Sequence, residues 1–167
     1  MKAKILKALL PLAIVFTMVS CSSETAENET GSTSRKIVTE YTYNDTEIKL
    51  ITLINNYRQS KGLNTLEVIN HMSYKSEEHN IYMKENKVVN HDNFQERTSN
   101  LMKLLGAERV GENVAYNYNS AESVLSAWLN SPGHKTNIEG NYTHIGLSVT
   151  VDIETGKKYY TNLFMLK

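Results

Sequence analysis

Apolar residues in this chain follow two different periods. Ile48, Ile51, Leu53, Ile54 and Tyr57 recur at helical spacing, behind Asp45 as an N-cap and Glu47 in the first turn. Gly62 closes that helix. Residues 68–85 predict a second helix, with Ile69, Met72, Ser76, His79 and Met83 on one face. Residues 88–93 read as a loop bearing His91, and residues 94–105 as a third helix stopped by Gly106. Residues 109–116 read as extended. Ser120 caps a fourth helix, with Glu122 in its first turn and Val124, Leu125, Ala127 and Trp128 inside, and Pro132-Gly133 ends it. The period then changes to two: Ile145, Leu147, Val149, Val151 and Ile153 alternate across residues 143–153. Glu154-Thr155-Gly156 is a turn, and residues 158–166 return as the partner strand of a hairpin. Helices first and paired strands last predict an α+β domain on an antiparallel sheet. No internal repeat is found.

The N-terminal quarter has a different character. Lys2, Lys4 and Lys7 precede an apolar run from residue 9 to 19, too short to span a bilayer comfortably and laid out as a secretory signal. The run ends in Met18-Val19-Ser20-Cys21, and Cys21 is the only cysteine. Small residues before a lone cysteine resemble a bacterial lipobox, which implies cleavage after residue 20 and lipidation of Cys21. Residues 22–44 are rich in Ser, Thr, Glu and Asn, with almost no aliphatic residue before Ile37. Such a composition buries too little to fold and reads as a tether, although residues 37–43 could add a short strand. The expected organisation is a signal over 1–20, a lipidated tether over 21–44 and one domain over 45–167.

Charge narrows the partners. The whole chain has a formal net charge of +0, and loss of the three signal lysines leaves a mildly acidic remainder. No Lys/Arg stripe or cluster is present, so a nucleic-acid partner has no electrostatic footprint here. With Cys21 acylated, no thiol remains for disulfides, and the domain must hold by its core alone.

The chemistry-bearing residues lie in separate segments. His91 sits in Asn-His-Asp-Asn-Phe, Glu112 in Val-Gly-Glu-Asn-Val-Ala-Tyr, and His134 in Ser-Pro-Gly-His-Lys-Thr-Asn. Two neutral imidazoles and a carboxylate form a legitimate zinc ligand set with a fourth position for water. The same three residues also make a hydrogen-bonded polar cluster that pins loops, and both readings stay open. His79 lies on an apolar helix face and reads as a satisfied, partly buried histidine. His71 and His144 read as surface or supporting residues, and Trp128 as core. There is no Gly-x-Ser-x-Gly elbow, no His-Glu-x-x-His, no phosphate-binding glycine loop and no dinucleotide fingerprint.

Five motifs in order carry a family resemblance: Leu-Ile-Asn-Asn-Tyr-Arg at 53–58, Asn-His-Asp-Asn-Phe-Gln-Glu-Arg at 90–97, Gly-Glu-Asn-Val-Ala at 111–115, Trp128 with Ser131-Pro132-Gly133-His134, and His144-Ile145-Gly146. Together they resemble a bacterial member of the CAP superfamily, the SCP domain of cysteine-rich secretory proteins, antigen 5 and pathogenesis-related class 1 proteins. The resemblance implies a three-layer α-β-α sandwich with a central antiparallel sheet. It also implies an open cleft in which two His and two Glu converge. His91, Glu112 and His134 match three of these, but the second Glu position is Ser131, so the set is incomplete.

The resemblance implies extracellular interaction roles, with lipid or sterol binding in some members and a divalent metal in others. The leading expectation is a membrane-anchored binding module, periplasmic or on the cell surface. Its cleft, formed by His91, Glu112, Ser131 and His134, would take an envelope or extracellular ligand, a small hydrophobic molecule, or a divalent ion such as zinc through His91, Glu112 and His134. The alternatives are a metal-assisted hydrolase of peptides or envelope polymers, against which the missing carboxylate counts, and a purely structural or adhesion domain. No residue is assigned a catalytic role.

Overall fold

A computed structural model describes residues 36–167. The signal at 1–20, Cys21 and the first part of the tether lie outside the described residues. The elements run α1 (Asp45–Ser60), β1 (Glu67–Val68), α2 (Asn70–Asn86), α3 (Phe94–Leu105), β2 (Arg109–Tyr116), α4 (Ala121–Leu129), α5 (Pro132–Ile138), β3 (His144–Val151) and β4 (Lys158–Leu166). The described strands form one sheet in the order β1-β3-β4-β2. β4 is antiparallel to both β3 and β2, and the two-residue β1 adds a short parallel edge on β3. The predicted hairpin is therefore β3–β4, with Gly156 at φ +69° in its turn, a conformation that glycine adopts without a Cβ penalty.

Alternation along the strands assigns the two faces of the sheet. Ile145, Leu147, Val149, Tyr160 and Phe164 meet Leu50 and Ile54 of α1, Val124 and Trp128 of α4 and Ile138 of α5. On the opposite face Leu163 and Met165 meet Met72 of α2 and Leu101 of α3, and Val114 and Tyr159 meet Met83 of α2. Helices on both faces of the sheet make the three-layer α-β-α sandwich. α2 lies unusually close: a Cβ on Gly146 would sit 2.2 Å from Met72 Cβ, so only glycine fits there.

Four local features differ from the sequence expectation. The N-cap of α1 is Asn44, one residue earlier than Asp45; its side chain accepts from the Glu47 N–H while Glu47 accepts from the Asn44 N–H, a reciprocal capping box. Pro132-Gly133 does not end the fourth helix. That helix stops at Leu129, and Pro132 opens α5 at N1, where its fixed φ suits a helix start and its missing N–H costs nothing. Residues 37–43 form no strand. Residues 36–44, the end of the expected tether, lie against the domain: Tyr41 donates to Ser148 Oγ at 2.9 Å, Tyr43 bonds Ser73 Oγ at 2.8 Å, and the Val38 N–H reaches His71 Nδ1 at 3.1 Å. Two tyrosines supply the burial that the composition of the segment as a whole conceals.

Candidate functional site

β2 carries Glu112 to the α2/α3 side of the sheet, in phase with Val114, while Asn113 turns toward α5. The Glu112 side chain is only 2 % exposed, and a buried carboxylate demands partners. Arg97 of α3 supplies a fork, with Nε 2.8 Å from Oε2 and Nη2 2.9 Å from Oε1. His91 Nδ1 donates to Oε1 at 2.8 Å. Both carboxylate oxygens are therefore engaged.

The loop bearing His91 is held from both sides. Arg97 Nη1 donates to the Asp92 carbonyl at 2.7 Å, His79 Nε2 donates to the Asn90 carbonyl at 2.9 Å, and Tyr82 Oη donates to the Asp92 carboxylate at 2.8 Å. These bonds aim Nδ1 of His91 at Glu112 and leave its Nε2 as the unengaged nitrogen of a ring that is half exposed. His79 stands behind, with Nε2 4.0 Å from Glu112 Oε1. Burial, reinforced by the Arg97 charge, lowers its pKa and keeps it neutral.

α5 delivers His134. Asn113 Nδ2 donates to the His134 carbonyl at 3.0 Å, and Asn137 Nδ2 donates to the Glu112 carbonyl at 3.0 Å and to Asn113 Oδ1 at 2.9 Å. Arg58, fully buried, ties down the end of α5 through the Ile138 and Gly140 carbonyls at 2.7 and 2.9 Å. Partial burial lowers the pKa of His134, and the His91 charge lowers it further. His134 makes no hydrogen bond to His91 or Glu112 among the described residues. Ser131 is the N-cap of α5, and its side chain makes no capping bond.

These contacts bear on the zinc set His91, Glu112 and His134. Glu112 is spent on Arg97 and His91, and a cation at its oxygens would meet the Arg97 guanidinium. No group of three His, Cys, Asp or Glu side chains is arranged to hold a metal among the described residues. Two imidazoles remain, one short of the usual three protein ligands, so the residues present do not fit a zinc centre.

Sequence reasoning gave Arg97 no role, although it closes the motif that begins with Asn90-His91. The one available signal was a lone arginine within the first turn of a helix whose preceding loop carries the candidate histidine. His71, expected as a surface or supporting residue, is fully buried: it accepts from Val38 and shares a 2.8 Å hydrogen bond with Asn100 Oδ1 through Nε2.

The family model described as the cysteine-rich secretory protein family, CAP, matches residues 51–164. Among curated relatives, the Bacillus subtilis (strain 168) protein YkwD is 33 % identical over 105 residues, which is 60 % of this chain and 41 % of that protein. The membrane protein YlbC of the same organism is 32 % identical over 125 residues, 71 % of this chain and 34 % of that protein. The chain thus spans about two-fifths or less of the curated relatives' length. Among solved structures, an outer surface protein from Borrelia burgdorferi superposes with a TM-score of 0.67 at 22 % identity, covering 78 % of this chain and 99 % of that one. An SCP-domain extracellular protein from Bacillus anthracis gives 0.62 at 28 % identity, covering 73 % of this chain and 40 % of that one.

Proposed function

Since this chain belongs to the cysteine-rich secretory protein family, CAP, we propose that it is an extracytoplasmic binding module, held to a membrane through an acylated Cys21, whose site presents two imidazoles to an envelope or extracellular ligand. One observation carries the binding reading: Glu112, the carboxylate a hydrolase would use as general base or metal ligand, is buried and held by Arg97. Both of its oxygens already accept hydrogen bonds from Arg97 and His91. It serves instead to orient His91, whose free Nε2 offers a donor or acceptor to a ligand. His134 and the Ser131 hydroxyl add hydrogen-bonding groups from α5.

The anchoring rests on the basic start, the short apolar run and Met18-Val19-Ser20-Cys21. No described helix is long and apolar enough to cross a membrane. The names of the relatives fit a location outside the cytoplasm: one is a membrane protein, one an outer surface protein and one an extracellular protein. A single acyl chain binds membranes only marginally, so stable attachment needs the several chains of a bacterial lipoprotein.

The test has two arms. The full chain should fractionate with membranes and Cys21→Ser should release it; a soluble, unacylated wild type ends the anchoring proposal. Isolated envelope material should retain the wild type, and His91→Ala with His134→Ala should lose that retention while the domain still melts cooperatively. Turnover of a peptide or envelope polymer by the purified wild type would overturn the binding reading.

A further inference from the structure

The segment ahead of α1 is held to the domain in two halves of different chemistry. The second half is held by hydroxyls: Tyr41 bonds Ser148 and Glu47, and Tyr43 bonds Asn70 and Ser73. Burial raises the pKa of both tyrosines, so these hydroxyls keep their protons. The first half, residues 36–40, docks on the start of α2. There Asn70 Nδ2 donates to the Thr39 carbonyl at 2.7 Å, and the Val38 N–H donates to His71 Nδ1 at 3.1 Å. Apart from the half-buried Val38, residues 36–40 are exposed, so little apolar burial backs these bonds, and such a segment opens ahead of the core.

The Val38 bond fixes the state of the imidazole. A ring nitrogen that accepts an N–H carries no proton. His71 therefore bears its proton on Nε2 and donates it to Asn100 Oδ1 at 2.8 Å. The ring is fully buried with both nitrogens engaged. A second proton can enter only at Nδ1, where it would face the Val38 N–H, a backbone donor that cannot reverse. The other histidines escape this conflict. His79 and His91 donate through the engaged nitrogen, and a second proton leaves those bonds in place. His144 Nδ1 meets the Thr143 hydroxyl at 2.7 Å, which can turn from donor to acceptor. Among the described residues no backbone N–H donates to the His134 ring.

Neither partner of the His71 ring is a carboxylate that would hold an imidazolium in place. Tyr74 stacks on the ring, with centroids 6.3 Å apart. Of the charged residues on the near turns, Lys75 is engaged by Glu78, Arg97 by Glu112, and Glu67 lies 3.7 Å from His144. Glu96 and Lys103 on α3, and Lys36 and Glu40 in the docked segment, complete the set. We propose that residues 36–40 form an acid-released latch in which His71 reads the proton. The latched ring excludes a second proton, and the released ring accepts one. The latch is thus closed above the ordinary imidazole value of about 6.5, and its opening constant grows about tenfold for each pH unit below it. Release frees roughly 15 Å of extended chain ahead of Tyr41. With Cys21 acylated, this lengthens the reach of the domain from its membrane; that consequence rests on the anchoring reading, and the release itself does not.

Hydrogen exchange of the full chain in detergent, followed from about pH 7.5 to about 4.5 and corrected for intrinsic exchange, reads the latch directly. Protection at Val38 should fall about tenfold per pH unit below about 6.5 while β4 keeps its protection. His71→Asn leaves an acceptor oxygen near the place of Nδ1 that takes up no proton, so protection at Val38 should hold across the range. Reciprocity supplies a measurement that does not depend on that variant folding. Val38→Pro removes the opposing N–H, and the nitrogen-15 signals of labelled histidine should show His71 taking up its proton at a higher pH than in the wild type. Protection at Val38 that survives to about pH 4.5 in the wild type overturns the latch. So does loss of β4 protection at the same pH, an acid-dependent loss at Val38 that persists in folded His71→Asn, or an unshifted His71 in Val38→Pro.

Discussion

Replacing Arg97 by methionine isolates the pairing that occupies the Glu112 carboxylate. The substitution keeps a long flexible side chain and removes the charge and its donors. In the native domain the pair is nearly dry, with side chains 9 % and 2 % exposed and a closest approach of 2.7 Å. At an effective dielectric of about 20 the attraction at that distance is roughly 6 kcal/mol, most of it offset by the desolvation of both groups. Removing one partner leaves the other charge buried and uncompensated, which costs about 3–5 kcal/mol. The bond to the Asp92 carbonyl adds about 1 kcal/mol. At roughly 3–4 °C per kcal/mol for a domain of this size, the melting temperature should fall by about 12–24 °C. Urea denaturation followed by circular dichroism measures the free energy directly. The double variant Arg97→Met with Glu112→Met should be more stable than Arg97→Met alone, because the orphaned charge is gone. A loss under about 1 kcal/mol for the single variant, or a double variant worse than the single, would refute the assignment of Arg97 as the neutralising partner.

Three further outcomes follow from the same packing. Deleting residues 157–167 removes the strand between β3 and β2 together with Tyr160, Leu163, Phe164 and Met165, all fully buried; at about 1.5–3 kcal/mol each the loss matches the whole stability of a typical domain, about 5–15 kcal/mol, so no cooperative melt should remain. Ser131→Glu places a carboxylate at the start of α5, three residues before His134; calorimetry at about pH 7.5, above the ordinary imidazole pKa, should show tighter zinc binding than the wild type gives, and tight binding by the wild type would contradict the misfit described above. Burial holds the His79 pKa below its unfolded value of about 6.5, so the unfolded chain takes up the proton first as pH falls; the stability present above about 6.5 should be lost as pH drops through the folded value, and His79→Gln, which keeps a donor for the Asn90 carbonyl, should flatten that part of the pH–stability curve.

The fold was largely legible because its signals are local. The bounds of α3 and β2 match the expected segments because each ends on a local cue: Gly106 enters the left-handed region at φ +74° after α3, and Asn117 at φ +61° after β2. The β3–β4 hairpin announced itself by strict alternation and a glycine turn. The misses occurred where one residue type has two uses. Pro132 both stops helices and starts them, and only the Leu129 terminus separates the two outcomes. β1 is two residues long and its residues are exposed, so no hydrophobic period marks it. Tyr41 and Tyr43 find partners 107 and 30 residues away, a distance that local composition does not register.

The site was legible only as a set of residue types, because charge compensation acts across segments. His91 and Glu112 were identified as chemistry-bearing, and they do touch, at 2.8 Å. Their meaning, however, depends on Arg97, 15 residues before Glu112 and on a different element. Without it, a buried glutamate beside a histidine is either a metal ligand or a general base. With it, the same carboxylate is neutralised in place and acts as a strut that fixes which nitrogen of His91 is free. The loop amides extend the same logic: Asn113 and Asn137 hold α5 to β2 and thereby set where His134 stands relative to His91. Here the polar residues that fix geometry outnumber those that can meet a ligand, so substitutions at Arg97, Asn113 or Asn137 should alter ligand retention by moving His91 and His134, without any of the three touching the ligand.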